Sequence, residues 1–397
     1  MQRVPLDERA DWKAKAEALG FRFHTMYGAP YWDETSAYAF TLEQIERDVE
    51  DPSTQLHAMC LEAVNAIVGS EELIERMGIP PAHRDLVAES WRSGEPALYG
   101  RFDLAYDGSG PAKLLEYNAD TPTSLYESAS FQWTWLEDAI ASGTLPSDAD
   151  QFNAIHEAMV RRFAEILPRG ADLHFTSAKS VEEDFATVEY MAWTAKEAGL
   201  FAHYVPVEDI GVTETGQFAD TEDRVIGTLF KLYPWEDMLR DPFARNLAGS
   251  ACRFIEPPWK ALVSNKGILP VLWRFFEGHA NLLPAFFEGE LEAGGPGVER
   301  ARPELERGSV TKPLFSREGA SIRIHEGGRE TEAAENREYD AHPTIVQAYV
   351  SLPDLDGNRP VIGAWIVGDA CVGMGVREDA SRITQNLSRF KPHFIRG

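Results

Sequence analysis

Arg101 and Asp103 stand two apart, as do Glu116 and Asn118, in stretches separated by Asp107-Gly108-Ser109-Gly110-Pro111. In an extended strand, residues i and i+2 share a face. Arg101 and Asp103 therefore point one way, and Phe102, Leu104 and Tyr106 the other. Glu116 and Asn118 share a face opposite Leu115 and Tyr117. The apolar sets fit a core, and the polar sets then face a cleft. The loop length leaves the cross-strand register open. Two carboxylates and an amide supply the hard oxygens that Mg²⁺ takes together with phosphate. Arginine adds a permanent charge and a planar fork suited to phosphate or a developing oxyanion. The plainer reading of the same spacing is a solvent-facing strand pair with ordinary ion pairs.

Two lysines extend the chemistry. Lys312 ends a strand-like run before Pro313 and precedes the glycine turn Arg317-Glu318-Gly319-Ala320-Ser321. A lysine above such a turn can grip nucleotide phosphates. No GxxxxGK[ST] pattern occurs, so this is not a Walker motif, and the alternative is a surface lysine. Lys266 in Ser264-Asn265-Lys266-Gly267 leaves the same two readings. Gln347-Ala348-Tyr349-Val350 reads as a linker whose backbone meets an adenine edge, or as an ordinary strand. His57 and Cys60 are three apart and can touch on a helix face. Their segment reads as an apolar core helix, which sets a catalytic cysteine aside.

The elements that must position these residues follow from periodicity. Leu42, Ile45 and Val49, then Leu56, Met59, Cys60, Val64 and Ile67, recur at helical spacing, so the first ninety residues read mainly as helix. Ser70 caps a further helix start. Residues 97–106 and 112–118 form the clearest hairpin, because Asp-Gly and Gly-Pro between them are strong turn chemistry. Helices are expected over 123–142, 149–167, 180–199 and 265–276, the third opening on Glu182-Glu183-Asp184. Strands are expected over 172–176, 225–232, 261–264, 309–315, 321–324 and 345–350. A second hairpin is expected over 361–376. Residues 289–308, rich in Glu, Gly and Pro, read as a mobile loop or boundary. Trp32, Tyr31 and Tyr38 read as core. The alternation of helices with hairpin-connected strands predicts an α+β or mixed α/β fold, not a Rossmann or TIM pattern.

Composition sets the outer bounds. At 397 residues the chain is long for one core, so two or three closely packed lobes are expected. Ten Trp and 21 Phe argue for an ordered interior. The net charge of −26 repels nucleic acid and anionic membranes, excluding both as expected partners, and is compatible with a cationic substrate such as a polyamine. Cys60, Cys252 and Cys371 are far apart and form no CxxC pair, which suggests neither zinc nor a disulfide framework and fits a reduced cytoplasmic setting. The charged N-terminus has no signal core, and no run reaches the roughly 18–20 apolar residues of a membrane helix.

Arg101-Phe102-Asp103, Glu116-Tyr117-Asn118-Ala119-Asp120, Asn265 to Trp273, Lys312-Pro313, Gln347 and Gly375-Val376-Arg377 occur in one order along the chain. In that order they resemble the synthetase part of the glutathionylspermidine synthase family, from about Tyr27 to Phe394. The resemblance implies an ATP-grasp-like architecture with a pre-ATP-grasp lobe. It divides the chain into a helical part (1–95), a substrate and metal lobe (96–260) and a nucleotide lobe with a lid (261–397). It implies an ATP-dependent carboxylate–amine ligase that passes through an acyl phosphate, with a peptide-like carboxylate and an amine or amino acid as substrates. Asp103, Glu116 and Asn118 then hold one or two Mg²⁺, and Arg101 stabilises the transition state with Arg377 near the reacting phosphates. Arg101, Phe102, Asp103, Lys266, Lys312, Glu318, Gly319, Gln347, Ala348, Tyr349, Val350, Arg382, Ile383 and Thr384 correspond to ATP-contacting positions, with 317–321 as the lid. Thr121 and Thr123 fall at the acid-substrate wall, and Glu183 and Asp184 where family members bind the polyamine.

The resemblance has departures. Where glutathione-binding members carry serines, this chain has Thr121-Pro122-Thr123. It starts at the synthetase part, so amidase activity is not expected, and it looks closer to a stand-alone subgroup. Two other readings share the fold: a lapsed enzyme kept as a binding or scaffolding protein, and an ATP-dependent phosphotransferase. The joint presence of Arg101, Asp103, Glu116, Asn118 and Lys312 favours an active enzyme over the lapsed one.

Overall fold

Six strands carry the site and are numbered here in chain order: β1 Tyr99–Ala105, β2 Lys113–Asn118, β3 Gly308–Pro313, β4 Thr344–Ala348, β5 Arg359–Val367 and β6 Ala370–Asp379. The computed structural model describes residues 1–385 and 388–397. A central antiparallel sheet runs in the order Arg389–Lys391, β6, β5, β1, β2. A second antiparallel sheet runs Ala285–Phe287, β4, β3, Arg323–Glu326, Arg329–Ala333. A four-stranded parallel sheet orders Arg253–Ile255, Thr228–Lys231, Asp172–Thr176 and Phe201–Tyr204. The fold is mixed α/β, as the element pattern predicts.

The central sheet is two-sided for a reason visible in its sequence. Phe102, Leu104, Leu114 and Tyr117 point to one face and join Ile362, Ala364 and Met374 in the main core. The helix Asp51–Val68 covers that face with Leu56, Met59, Cys60, Ala63, Val64 and Ile67, all on one stripe. Each buried Leu, Met, Val or Ile of this stripe contributes roughly 1.5–3 kcal/mol. Tyr117 stacks on Phe102 with ring centroids 3.9 Å apart. Arg101, Asp103, Glu116 and Asn118 are thereby turned to the other face. A bulge between Asp103 and Leu104 shifts the register, so Leu114 rather than Leu115 enters the core, against the simple alternation. The turn between the strands is an Asx turn, in which Ser109 N donates to Asp107 Oδ1 at 2.8 Å.

Several local expectations are corrected. Residues 261–264 are not a strand: Lys260–Val263 is a helical turn. A four-residue apolar run has no periodicity to separate the two, and the Lys260 ammonium decides it by donating to Tyr99 O at 2.7 Å and Ala119 O at 2.9 Å. Residues 289–308 are not a loop but two helices, Glu288–Ala293 and Pro296–Arg307. Glu290 accepts from Phe287 N at the first start, and Pro296 sits in the first turn of the second. The helix expected from Thr123 begins later. Ser124 has φ 65°, Glu127–Phe131 is a π-helical turn, and the α-helix is Gln132–Ala141. The helix expected from Ala149 begins at Ile155. Strand Phe201–Tyr204 was not anticipated from the pattern.

Candidate active site

Register places the polar residues of β1 and β2 opposite one another: Arg101 pairs with Asn118 and Asp103 with Glu116. On the other side of β1, Asp103 pairs with Gly363 and Arg101 with Trp365. A Cβ on Gly363 would lie 2.8 Å from Arg101 Cδ, so this glycine makes the room in which the arginine lies. Arg101 Nε donates to Asp103 Oδ1 at 2.7 Å and Nη2 to Oδ2 at 3.2 Å, while Nη1 donates to Thr123 O. Arg377, from β6, donates to the same Asp103 Oδ2 at 2.7 Å. Such charge-assisted forks fix geometry more firmly than neutral hydrogen bonds.

Two lysines complete the group. Lys266 lies 3.1 Å from Glu116 Oε2 and donates to Ser316 O at 2.7 Å. Lys312 donates to Leu115 O and to Gln347 Oε1, both at 2.8 Å, and Gln347 Nε2 donates to Leu114 O at 3.0 Å. Burial raises the cost of the Glu116 charge, but Lys266 and Lys312 outweigh it and hold the carboxyl well below the usual carboxylate range. Burial, with Lys266 beside it, pushes Lys312 down to about 8 despite Glu116. Four cations (Arg101, Arg377, Lys266, Lys312) thus face two carboxylates (Asp103, Glu116). This cluster of positive charge, in a cleft that also carries Glu183, Asp184, Glu236 and Glu318, suits a polyanion such as a triphosphate.

All of these residues except Lys266 line a cleft of about 390 Å³. Of the positions singled out in the sequence, Arg101, Asp103, Glu116, Asn118, Thr121, Thr123, Glu183, Asp184, Lys312, Glu318, Gly319, Gln347, Ala348, Tyr349, Val350, Arg377, Arg382, Ile383 and Thr384 all reach it. Lys266 stands behind Glu116. The Phe102 side chain is not at the cleft; it is fully buried on the opposite face of the sheet. Val310, Ile322, Ile324, Leu352 and Val361 form an apolar wall that the sequence reading missed, since alternation on a strand marks a buried face without saying what covers it. Arg382 is held by Glu326 at 2.7 Å and Glu332 at 2.6 Å, with its guanidinium 5.6 Å from the Tyr349 ring centre.

The expected lid has the backbone of a tight, shaped loop. Glu318, Gly319 and Ser321 have φ of 53°, 72° and 58°. A Cβ on Gly319 would meet Thr384 O and Ile383, so only glycine lets the loop rest on this segment. Arg317 pairs with Glu236 at 3.2 Å. Beside the lid stands an acidic group. Burial and the neighbouring charges of Glu127, Asp184 and Glu318 push Glu183 up to about 8, and burial pushes Asp184 up to about 6. Below the cleft, Asp120 is buried in contact with Lys231 and accepts from Trp235 N at 2.7 Å. It anchors the end of the motif rather than lining the cleft.

Asp103, Glu116 and Asn118 fit a hard divalent cation in donor chemistry. All three are oxygen-bearing and adjacent across two strands, and no hydrogen bond among the described residues engages Asn118 Oδ1, whose amide nitrogen donates to Glu116 at 3.1 Å and Asp103 at 3.4 Å. They are two carboxylates, not three; among the described residues no cluster of three or more His, Cys, Asp or Glu could hold a metal. A cation here therefore draws its remaining ligands from phosphate and water, as Mg²⁺ commonly does.

The fold is a mixed α/β architecture of several sheets, with the site in one cleft. The chain belongs to the glutathionylspermidine synthase family: the model for the "Glutathionylspermidine synthase preATP-grasp" domain matches residues 3–396. A Haemophilus influenzae protein whose name proposes an acid–amine ligase is 40% identical over the full length of both chains. Trypanothione synthetase of Crithidia fasciculata is 28% identical over 83% of this chain. The bifunctional glutathionylspermidine synthetase/amidase of Escherichia coli is 23% identical over 90%. The chain spans 52% and 59% of the lengths of those last two. A glutathione synthetase-like effector from Globodera pallida shares the fold, with a TM-score of 0.56 at 11% identity over 90% of this chain and 89% of its own. The named relatives support a ligase. Among the described residues no helix is long and apolar enough to cross a membrane.

Proposed function

We propose that this protein is an ATP- and Mg²⁺-dependent carboxylate–amine ligase that acts in the cytoplasm, where its three free cysteines stay reduced. The observation that carries the reading is Asp103 held between Arg101 and Arg377, beside Glu116, Lys266 and Lys312, in a cleft with an apolar wall. Lys312, Lys266, Gln347 and the segment 348–350 hold the nucleotide, and the apolar wall takes its base. Asp103, Glu116 and Asn118 hold Mg²⁺, which when bound neutralises phosphate charge. Arg101 and Arg377 orient the acceptor carboxylate and stabilise charge on the moving phosphoryl group. The loop 317–321 excludes water, which an acyl phosphate requires. Thr121 and Thr123 contact a peptide-like acid, and Glu183 and Asp184 attract the amine. Three units, 1–95, 96–260 and 261–397, contribute the helical support, the metal and substrate wall, and the nucleotide wall.

The test is product analysis. With Mg-ATP, a peptide carboxylate such as glutathione and an amine such as spermidine, the expected products are ADP, phosphate and an amide in equal amounts. ADP together with a phosphorylated acceptor and no amide would replace the ligase reading with a phosphotransferase.

A further inference from the structure

On the side of the central sheet covered by the helix Asp51–Val68 lies a second cavity, of about 700 Å³, which shares no lining residue with the first. Its apolar surface comes from Leu61, Val68, Trp91, Pro96 and Trp259. Trp91 and Trp259 meet edge to face, with ring centres 5.2 Å apart. The walls are fixed in place without a ligand. Trp259 Nε1 donates to Glu95 O at 2.9 Å and Arg162 Nε to Ala97 O at 2.9 Å. His57 Nδ1 lies 3.0 Å from the Tyr117 hydroxyl. Walls held this way lower the ordering cost of binding.

The charges around the apolar surface are balanced. The lining carries two cations, Arg92 and Arg162, and two carboxylates, Glu95 and Asp369. This differs from the cationic cluster of the cleft and does not suit a polyanion. Arg162 lies against the turn that carries Asp369, since a Cβ on Gly368 would be 3.5 Å from Arg162 Nε. Arg162 Nη1 donates to Glu165 at 2.9 Å, while Nη2 has no hydrogen bond among the described residues. The Asp369 side chain is 84% exposed, 3.6 Å from His57 Nε2. Burial favours the neutral imidazole of His57, so Asp369 remains a counter-charge for an incoming cation.

We propose that this cavity binds a zwitterionic dipeptide with apolar side chains, its carboxylate on Arg162, its ammonium on Asp369 and its side chains against Trp91 and Trp259. Both charges of such a ligand find an opposite charge at the site, and its apolar body finds the tryptophan surface. The volume falls in the roughly 300–1,000 Å³ range of pockets for drug-sized ligands, which gives room for two side chains.

The experiment is calorimetric titration of the full chain, without nucleotide, with L-phenylalanyl-L-leucine. The wild-type protein should bind one equivalent with a Kd below about 1 mM. Asp369→Asn, at an exposed position with little folding risk, should weaken binding by about tenfold, the usual size of one lost charged hydrogen bond. It should leave the affinity for the N-acetylated dipeptide, which lacks the ammonium, unchanged. Arg162→Gln should weaken binding of both ligands by about tenfold, with a urea melt on the same sample to establish that it is folded. Arg377→Ala, in the cleft, should bind the dipeptide as wild type does. No saturable binding below about 1 mM would overturn the site, as would equal affinity in wild type, Asp369→Asn and Arg162→Gln. Loss of binding in Arg377→Ala rather than in Asp369→Asn would place the dipeptide in the cleft and overturn the site as well.

Discussion

Asp103 and Arg377 are 274 residues apart in the chain, and the Arg377 guanidinium donates to the Asp103 carboxylate at 2.7 Å. Strand β5, lying between β1 and β6, brings them together. Arg377 also bears on the acidic group, since its charge opposes the upward shift of Glu183. Arg377→Ala should lower kcat for ADP formation by about 10²–10³-fold, the usual loss for one preorganised donor to a developing charge. Asp103 keeps its fork to Arg101, so the melting transition should stay close to wild type. Wild-type turnover in a folded variant would remove Arg377 from the reaction.

Gly363→Ala tests the room left for Arg101. The new methyl lies 2.8 Å from Arg101 Cδ, and Arg101 is pinned by Asp103 and the Thr123 carbonyl. Overpacking of this kind costs about 1–3 kcal/mol. Turnover should fall further than that destabilisation alone explains, because the guanidinium is displaced. Denaturant melts and ADP assays on the same sample separate the two effects.

Lys312 predicts a pH limb. Its ammonium is held at about 8 by burial and by Lys266. The charged form dominates below that value, so ATP affinity of the free protein should be level there and weaken as pH rises through it. Lys312→Met should bind ATP more weakly and lose this limb. Affinity that stays flat to about pH 9.5 in wild type would contradict a phosphate-facing Lys312.

Asp120 and Lys231 are both fully buried and face each other. Asp120→Asn leaves the lysine charge without its partner and should destabilise the fold by about 3–5 kcal/mol by urea denaturation. The double variant Asp120→Asn, Lys231→Met should recover part of that loss. A single-variant loss below about 1 kcal/mol would mean that solvent reaches the pair.

The Arg101–Asn118 hairpin was legible because its turn, its alternation and its polar face all agree in a short window. Leu115 was misplaced by one position, since a bulge shifts parity without leaving a mark in composition. Arg377 entered only through the ordered resemblance: nothing local says that a strand so distant in sequence will lie two strands from Asp103. The segment Pro296–Arg307 was hidden by its prolines and glycines, although its proline in the first turn is itself a helix-start signal.

The central claim, activation of a carboxylate by Mg-ATP at Asp103, Glu116 and Asn118, is tested most directly by trapping the activated acid with hydroxylamine. Wild-type protein given Mg-ATP and glutathione should yield hydroxamate and ADP in equal amounts. Glu116→Ala, folded by its circular dichroism, should yield neither. Hydroxamate formation by Glu116→Ala at the wild-type rate, or ADP without hydroxamate in the wild type, would contradict it.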